Sequence, residues 1–149
     1  MKLTTKGKFA VDALLDIAIY SGNSPVNLHD ISTRQKISIS YLEQLFVKLR
    51  KSGLVKSYKG PGGGYTLAVD KSLIKISAII KSVEDDLDAR SCHGMKNCRE
   101  QGQCLAHNLW NNLTSYIFDY LDTITLDDVT KSIPKTSNSI TFTPKTTKI

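Results

Sequence analysis

The 149 residues carry 20 Lys or Arg against 14 Asp or Glu, a formal net charge of +6 that suits a polyanionic partner. Three cysteines are an odd count, and the opening residues lack the apolar run and cleavage site of a secretory signal, which argues against a disulfide-stapled secreted fold. No stretch approaches the roughly 18 continuous apolar residues of a membrane span, so a cytoplasmic chain without membrane contact is expected.

The charge is unevenly placed. Residues 1–75 hold twelve Lys or Arg against five Asp or Glu, whereas residues 76–149 hold eight against nine. The first half is therefore the candidate polyanion binder. Thr4 or Thr5 can cap a first helix running to about Tyr20, with Phe9, Ala13, Leu14, Ile17 and Ala18 at helical spacing. The segment Ser21-Gly22-Asn23-Ser24-Pro25 stops it. A second helix over about 28–35 can start from Asn27, and a third over about 40–52 turns Leu42, Leu45, Phe46 and Leu49 inward with Ile37. The three residues Lys36 to Ser38 leave room only for a tight turn, the pattern of a helix-turn-helix. Residues 54–58 and 65–68 are strand-like and flank Lys59-Gly60-Pro61-Gly62-Gly63-Gly64, a turn built for unusual backbone angles. No Gly-Lys-Ser/Thr follows, so this glycine run is a wing turn and not a phosphate loop. The expected fold is mainly α with a small β-hairpin wing: a winged helix-turn-helix followed by a long C-terminal dimerisation helix.

On such a fold the base-reading residues lie near the start of the third helix, on the face away from the core. These are Ser38, Ser40, Tyr41, Glu43, Gln44 and, one turn on, Lys48. Gln44 can bridge adenine in bidentate fashion, and Ser40 can serve several bases. Tyr41 has a partly buried packing role as its alternative. Arg50, Lys51, Lys56 and the wing residue Lys59 suit phosphate or the minor groove. Glu43 repels phosphate, so its uses are accepting from cytosine or penalising wrong sequences, with an intrahelical pairing to Lys48 as the alternative.

A short amphipathic helix is expected over 76–83, followed by Glu84-Asp85-Asp86-Leu87-Asp88 as a solvated connector. All three cysteines then fall in one sixteen-residue window with a histidine, as Cys92, Cys98, Cys104 and His107, spaced C-x5-C-x5-C-x2-H. Gly94 and Gly102 sit in the gaps where a loop must curl back. Three thiols and an imidazole are a complete set of soft ligands: zinc, an iron-sulfur cluster, or a Cys104–His107 nucleophile and base would each use them. From about Cys104 a long helix runs to Ile124, with Leu105, Leu109, Leu113, Tyr116, Ile117, Tyr120, Leu121 and Ile124 in a stripe that suggests a homodimer seam. Thr125 can cap a last helix over about 126–131, and beyond it no hydrophobic period survives.

The runs Thr4–Val11, Ile39–Phe46, Gly60–Tyr65 and Cys104–Trp110 together resemble the iron-sulfur cluster regulators of the IscR family, over about residues 1–130. The resemblance implies a dimeric transcription factor, not an enzyme, that holds a 2Fe-2S cluster, receives it from the cluster-assembly machinery and controls cluster-assembly genes at operator DNA. A zinc or 4Fe-4S site, and a related sensor of nitric oxide or iron, are the alternatives. Residue by residue, Cys92, Cys98 and Cys104 match the three thiolate ligands and His107 the fourth. His93 is the competing imidazole, but it directly follows Cys92, whereas His107 shares a helical face with Cys104. Where the family is expected to carry arginine in the wing, this chain has Lys59, which keeps the charge and loses the planar fork. The division then expected is a winged helix-turn-helix DNA-binding domain over 1–75, a cluster-binding loop and dimerisation helix over 76–131, and a flexible tail over 132–149.

Overall fold

A computed structural model of the protein describes residues 4–85 and 104–134. Cys92 and Cys98, the rest of the expected connector from Asp86 to Asp88, and most of the expected tail lie outside them. Within them the order is α1 (Thr5–Tyr20), α2 (Leu28–Gln35), α3 (Ile39–Lys51), β1 (Val55–Tyr58), β2 (Gly64–Leu67), a 3-10 turn at Lys71–Leu73, α4 (Ile76–Val83), α5 (His107–Thr123) and α6 (Leu126–Ser132).

Four helices start where a short polar side chain can satisfy an otherwise unpaired N–H. Thr4 accepts from Lys6, Asn27 from Asp30, Ser38 from Tyr41, and Thr125 from Asp128, whose carboxylate answers the Thr125 N–H in a capping box. Two starts differ from expectation. Ser38, not a later serine, caps α3, so the helix begins at Ile39. α5 begins at His107 and not at Cys104, because residues 104–106 form a turn closed by the His107 N–H donating to the Cys104 carbonyl at 3.1 Å. Cys104 and His107 therefore share a turn and not a helical face.

α1 is the wall on which the rest is built. Its Ala10, Ala13, Leu14 and Ile17 are buried, and the small side chains let α2, α4 and α6 approach it closely. The core continues without a gap from these residues through Leu42, Phe46 and Leu49 of α3 to Ile76, Ile79, Ile80 and Val83 of α4 and Leu126 of α6. The charge boundary near residue 75 is thus not a break in packing.

β1 and β2 pair antiparallel, Val55 opposite Leu67 and Tyr58 opposite Gly64. Val26, in the α1–α2 connection, adds a third edge: it exchanges two backbone hydrogen bonds with Tyr65, at 2.9 and 2.8 Å. Gly64 makes this possible, since its φ of +153° disfavours other residues and a Cβ there would run into the Val26 carbonyl. The Tyr65 ring also packs on Phe46 of α3, with centroids 4.5 Å apart. The hairpin is consequently fastened to α3 and to the connection that leads into α2.

Asp16 is a charged residue inside this core, 1% exposed. Arg34 of α2 meets it bidentately, Nε to Oδ2 at 2.9 Å and Nη2 to Oδ1 at 2.6 Å, and Gln35 Nε2 adds a third donor at 2.8 Å. The guanidinium lies 4.2 Å over the Tyr20 ring, and its hydrogen bonding to Asp16 raises the Arg34 pKa further above its ordinary value. Asp16→Ala is expected to cost about 3 kcal/mol in urea unfolding, the low end for a broken buried pair because Arg34 can partly rehydrate. An Asp16→Ala, Arg34→Ala double variant is expected to lose less than the sum of the two single changes.

Candidate nucleic-acid interface and ligand turn

α3 turns Leu42, Leu45, Phe46 and Leu49 into the core, which leaves Ser40, Glu43, Gln44 and Lys51 exposed on the opposite side. Ser38 is exposed too, though its oxygen is already engaged as the cap of α3. Tyr41 is half-buried and meets Phe9 edge to face, ring centroids 5.7 Å apart. That places its ring in the packing between α1 and α3. Arg50 leans over β1, donating to Ser57 Oγ at 3.5 Å. Lys56 is exposed on β1, as is Lys59 at the wing turn.

Lys48 is placed differently from the others. Its Nζ donates to the Val83 carbonyl at 3.2 Å and to both carboxylate oxygens of Asp85, at 2.9 and 3.1 Å. It therefore points at the end of α4, and the pairing of Glu43 with Lys48 weighed from the sequence is not the one formed. Asp85 also lies 3.8 Å from Lys6 Nζ. Its neighbour Glu84 accepts the Thr4 and Gly7 N–H groups at 3.2 and 3.0 Å and the Thr4 hydroxyl, setting a carboxylate at the positive end of α1. The expected solvated connector is, at its first two residues, a joint between α4, α1 and α3. Sequence reading missed this because each carboxylate finds partners 37 or more residues away, which spacing rules do not reach.

On the far side of the ligand window, His107 is 5% exposed at the first position of α5, and Cys104 is half-buried one turn before it. Two of the four candidate ligands are thus supplied by one tight turn, with their backbones joined by the 3.1 Å hydrogen bond. A thiol and an imidazole held this way fit a soft metal centre. Cys92 and Cys98 lie outside the described residues, which contain no complete group of three metal-binding side chains.

α5 packs on α4, where the Ser77 hydroxyl donates to Asp122 and Lys81 lies 4.8 Å over the Phe118 ring. Its expected apolar stripe divides. Leu121 and Ile124 pack on the core, whereas Leu109, Tyr116 and Tyr120 are 60%, 73% and 64% exposed and nothing among the described residues covers them. No helix among the described residues is long and apolar enough to cross a membrane.

The model of the Rrf2 family, described as iron-dependent transcriptional regulators, matches residues 3–132. The chain belongs to the Rrf2 family. The match spans the helix-turn-helix, the wing and all four candidate ligands. The chain is 54% identical over 129 residues to the HTH-type transcriptional regulator IscR of Vibrio vulnificus strain YJ016, covering 87% of this chain and 77% of that one. It is 50% identical over 129 residues to the IscR of Yersinia pseudotuberculosis, covering 87% and 79%. Among solved structures, T. potens IscR superposes with a TM-score of 0.72 at 37% identity, covering 88% of this chain and 87% of that one. CymR, the global cysteine regulator of B. subtilis, superposes at 0.74 with 30% identity, covering 88% and 97%. Like its Rrf2 relatives the chain is a winged helix-turn-helix transcription regulator that binds DNA, and it is not an enzyme.

The geometry at Lys48 has a measurable consequence. Its hydrogen bonds and charge hold the Asp85 carboxyl below its usual range, with Lys6 adding to the effect. This ion pair is complete above about pH 4 and is lost as pH falls through the lowered value, so it does not vary near neutrality. Asp85→Asn is expected to release Lys48 and steepen the salt dependence of DNA binding by about one unit of log–log slope per chain, read by fluorescence anisotropy. Adding Lys48→Ala is expected to reverse the change.

Proposed function

We propose that this regulator senses iron-sulfur cluster supply: it binds operator DNA as a homodimer, holds a 2Fe-2S cluster and adjusts transcription of cluster-assembly genes. The observation that carries this reading is the position of the ligand window. In sequence it follows Asp85, which grips α3 through Lys48, and it ends on the Cys104–His107 turn at the root of α5.

In this reading α3 lies in the major groove. Ser38, Ser40, Glu43 and Gln44 address base edges, Tyr41 joins them only through its hydroxyl because its ring packs on Phe9, and Arg50, Lys51, Lys56 and Lys59 address phosphate and the minor groove. Lys48 joins the phosphate contacts only by leaving Asp85. Glu43 accepts from cytosine or disfavours other bases. The uncovered face of α5 pairs with its copy in a second chain, bringing two recognition helices onto two half-sites.

Cys92, Cys98, Cys104 and His107 would hold the cluster, which supplies an exchangeable, redox-active centre when bound. The chain's own contribution is the choice of donors. A neutral imidazole in place of a fourth thiolate lowers the negative charge of the ligand set, which favours a centre that can be handed over. The cluster-assembly machinery is the donor in this scheme.

Anaerobic reconstitution with iron and sulfide is expected to give a coloured protein with about two iron and two sulfide per chain. Cys92→Ala, Cys98→Ala and Cys104→Ala are each expected to abolish the colour, and His107→Cys to retain a cluster that is lost more slowly to chelator. A colourless protein with one zinc would overturn the cofactor and leave the DNA reader standing. Leu109→Glu with Tyr116→Glu is expected to convert a dimer into monomers in analytical ultracentrifugation and to weaken DNA binding.

A further inference from the structure

We infer that Val47 is a specificity-determining residue of the DNA reader, taking the C5-methyl group of a thymine in the major groove. The inference rests on the reading that α3 lies in that groove, and it adds a residue that the sequence patterns did not single out.

Val47 is not needed for the fold. The core uses Leu42, Leu45, Phe46 and Leu49 of α3, and Val47 is 46% exposed and absent from the apolar side chains packed against that core. Steps of three and four residues put it on one helical face with Ser40, Glu43, Gln44 and Lys51, all exposed. It is the apolar member of that otherwise polar face. A β-branched residue at an exposed helix position is a poor choice on propensity alone, where a straight polar chain loses less rotamer freedom. A single exposed valine elsewhere would need no explanation. Here it stands among the side chains with hydrogen-bonding groups suited to base edges.

The neighbouring contacts narrow its ligand. Among the four bases only thymine presents a methyl group in the major groove, and it is read by apolar contact. Gln44, less than one turn before Val47, has the two-pronged amide that suits adenine. The separation of roughly 4.5 Å along the helix axis lies between one and two base-pair steps. Lys48, the next residue along, is held to Asp85 and Val83 on another side of the helix and does not compete for this position.

The test uses a duplex selected by the wild-type protein from a randomised pool, with each thymine replaced singly by deoxyuridine, which removes only the methyl. Wild type is expected to lose about fourfold in affinity at one thymine per half-site, the value of one buried methyl group. Val47→Ala is expected to bind uracil and thymine equally at that position, and Val47→Thr, which keeps one methyl, to retain part of the discrimination. Unchanged thermal melting of Val47→Ala would support a surface role. Equal thymine preference in wild type and Val47→Ala would overturn the inference. If Ser40→Ala and Gln44→Ala also left binding to the selected duplex unchanged, the placement of α3 itself would fail, which separates the two outcomes.

Discussion

A carboxylate shut away from water must find its donors inside the protein, and Asp16 takes three hydrogen bonds from side chains of α2. Two come from Arg34 in the planar fork that matches a carboxylate, and one comes from Gln35. This fixes α2 against α1 in rotation as well as distance, which apolar contacts alone specify less sharply. Everything the DNA reader needs depends on it. α3 follows α2 after a turn in which Lys36 adopts a left-handed φ of 58°, and the wing is laced to Val26 just before α2. A shift of α2 on α1 would displace the recognition helix and the wing together.

The second organising feature is the pair of carboxylates where α4 ends. Glu84 serves the start of α1, and Asp85 serves Lys48 on α3. Adjacent residues thus face two different elements, as successive side chains on an extended backbone do; Glu84 has extended angles as the C-cap of α4. In sequence the candidate ligand window follows this joint, with Cys92 seven residues after Asp85. The end of α4 is therefore joined to α1 and α3 by charge pairs, which are directional and adjustable, in addition to the packed core that Val83 enters.

Local signals were legible in the sequence. Thr4, Asn27 and Thr125 cap the helices they were expected to cap, and the stripe of Leu42, Leu45, Phe46 and Leu49 faces the core as its spacing required. The wing followed from glycine chemistry. Contacts distant in sequence were not legible. Lys48 reads as one more cation on a basic helix until Asp85, 37 residues later, is placed beside it. The start of α5 was read three residues early because Cys104–Ala106 carries no breaker, and Ala106 offers no side-chain cap to mark the true start. Of the candidate ligands, Cys104 and His107 were expected close together and are, by a turn and not by a helix face.

The way α5 is mounted has a mechanical consequence. At its far end the backbone locks onto the body: Ile76 N–H donates to the Ile124 carbonyl at 3.0 Å, and Leu126 N–H donates to the Ile74 carbonyl at 2.8 Å. At its near end stands the Cys104–His107 turn. The seventeen residues between make a stiff rod about 25 Å long. Such a rod, packed on α4 near its far end, would act as a lever arm if it pivoted at the 74–76 and 124–126 crossing. A rotation of about 5° there would carry the ligand turn roughly 2 Å, given the helical rise that sets the arm's length. A displacement of the Cys104 end would load α4 through the Lys81–Phe118 and Ser77–Asp122 contacts, and the last residue of α4, Val83, accepts from Lys48 of α3.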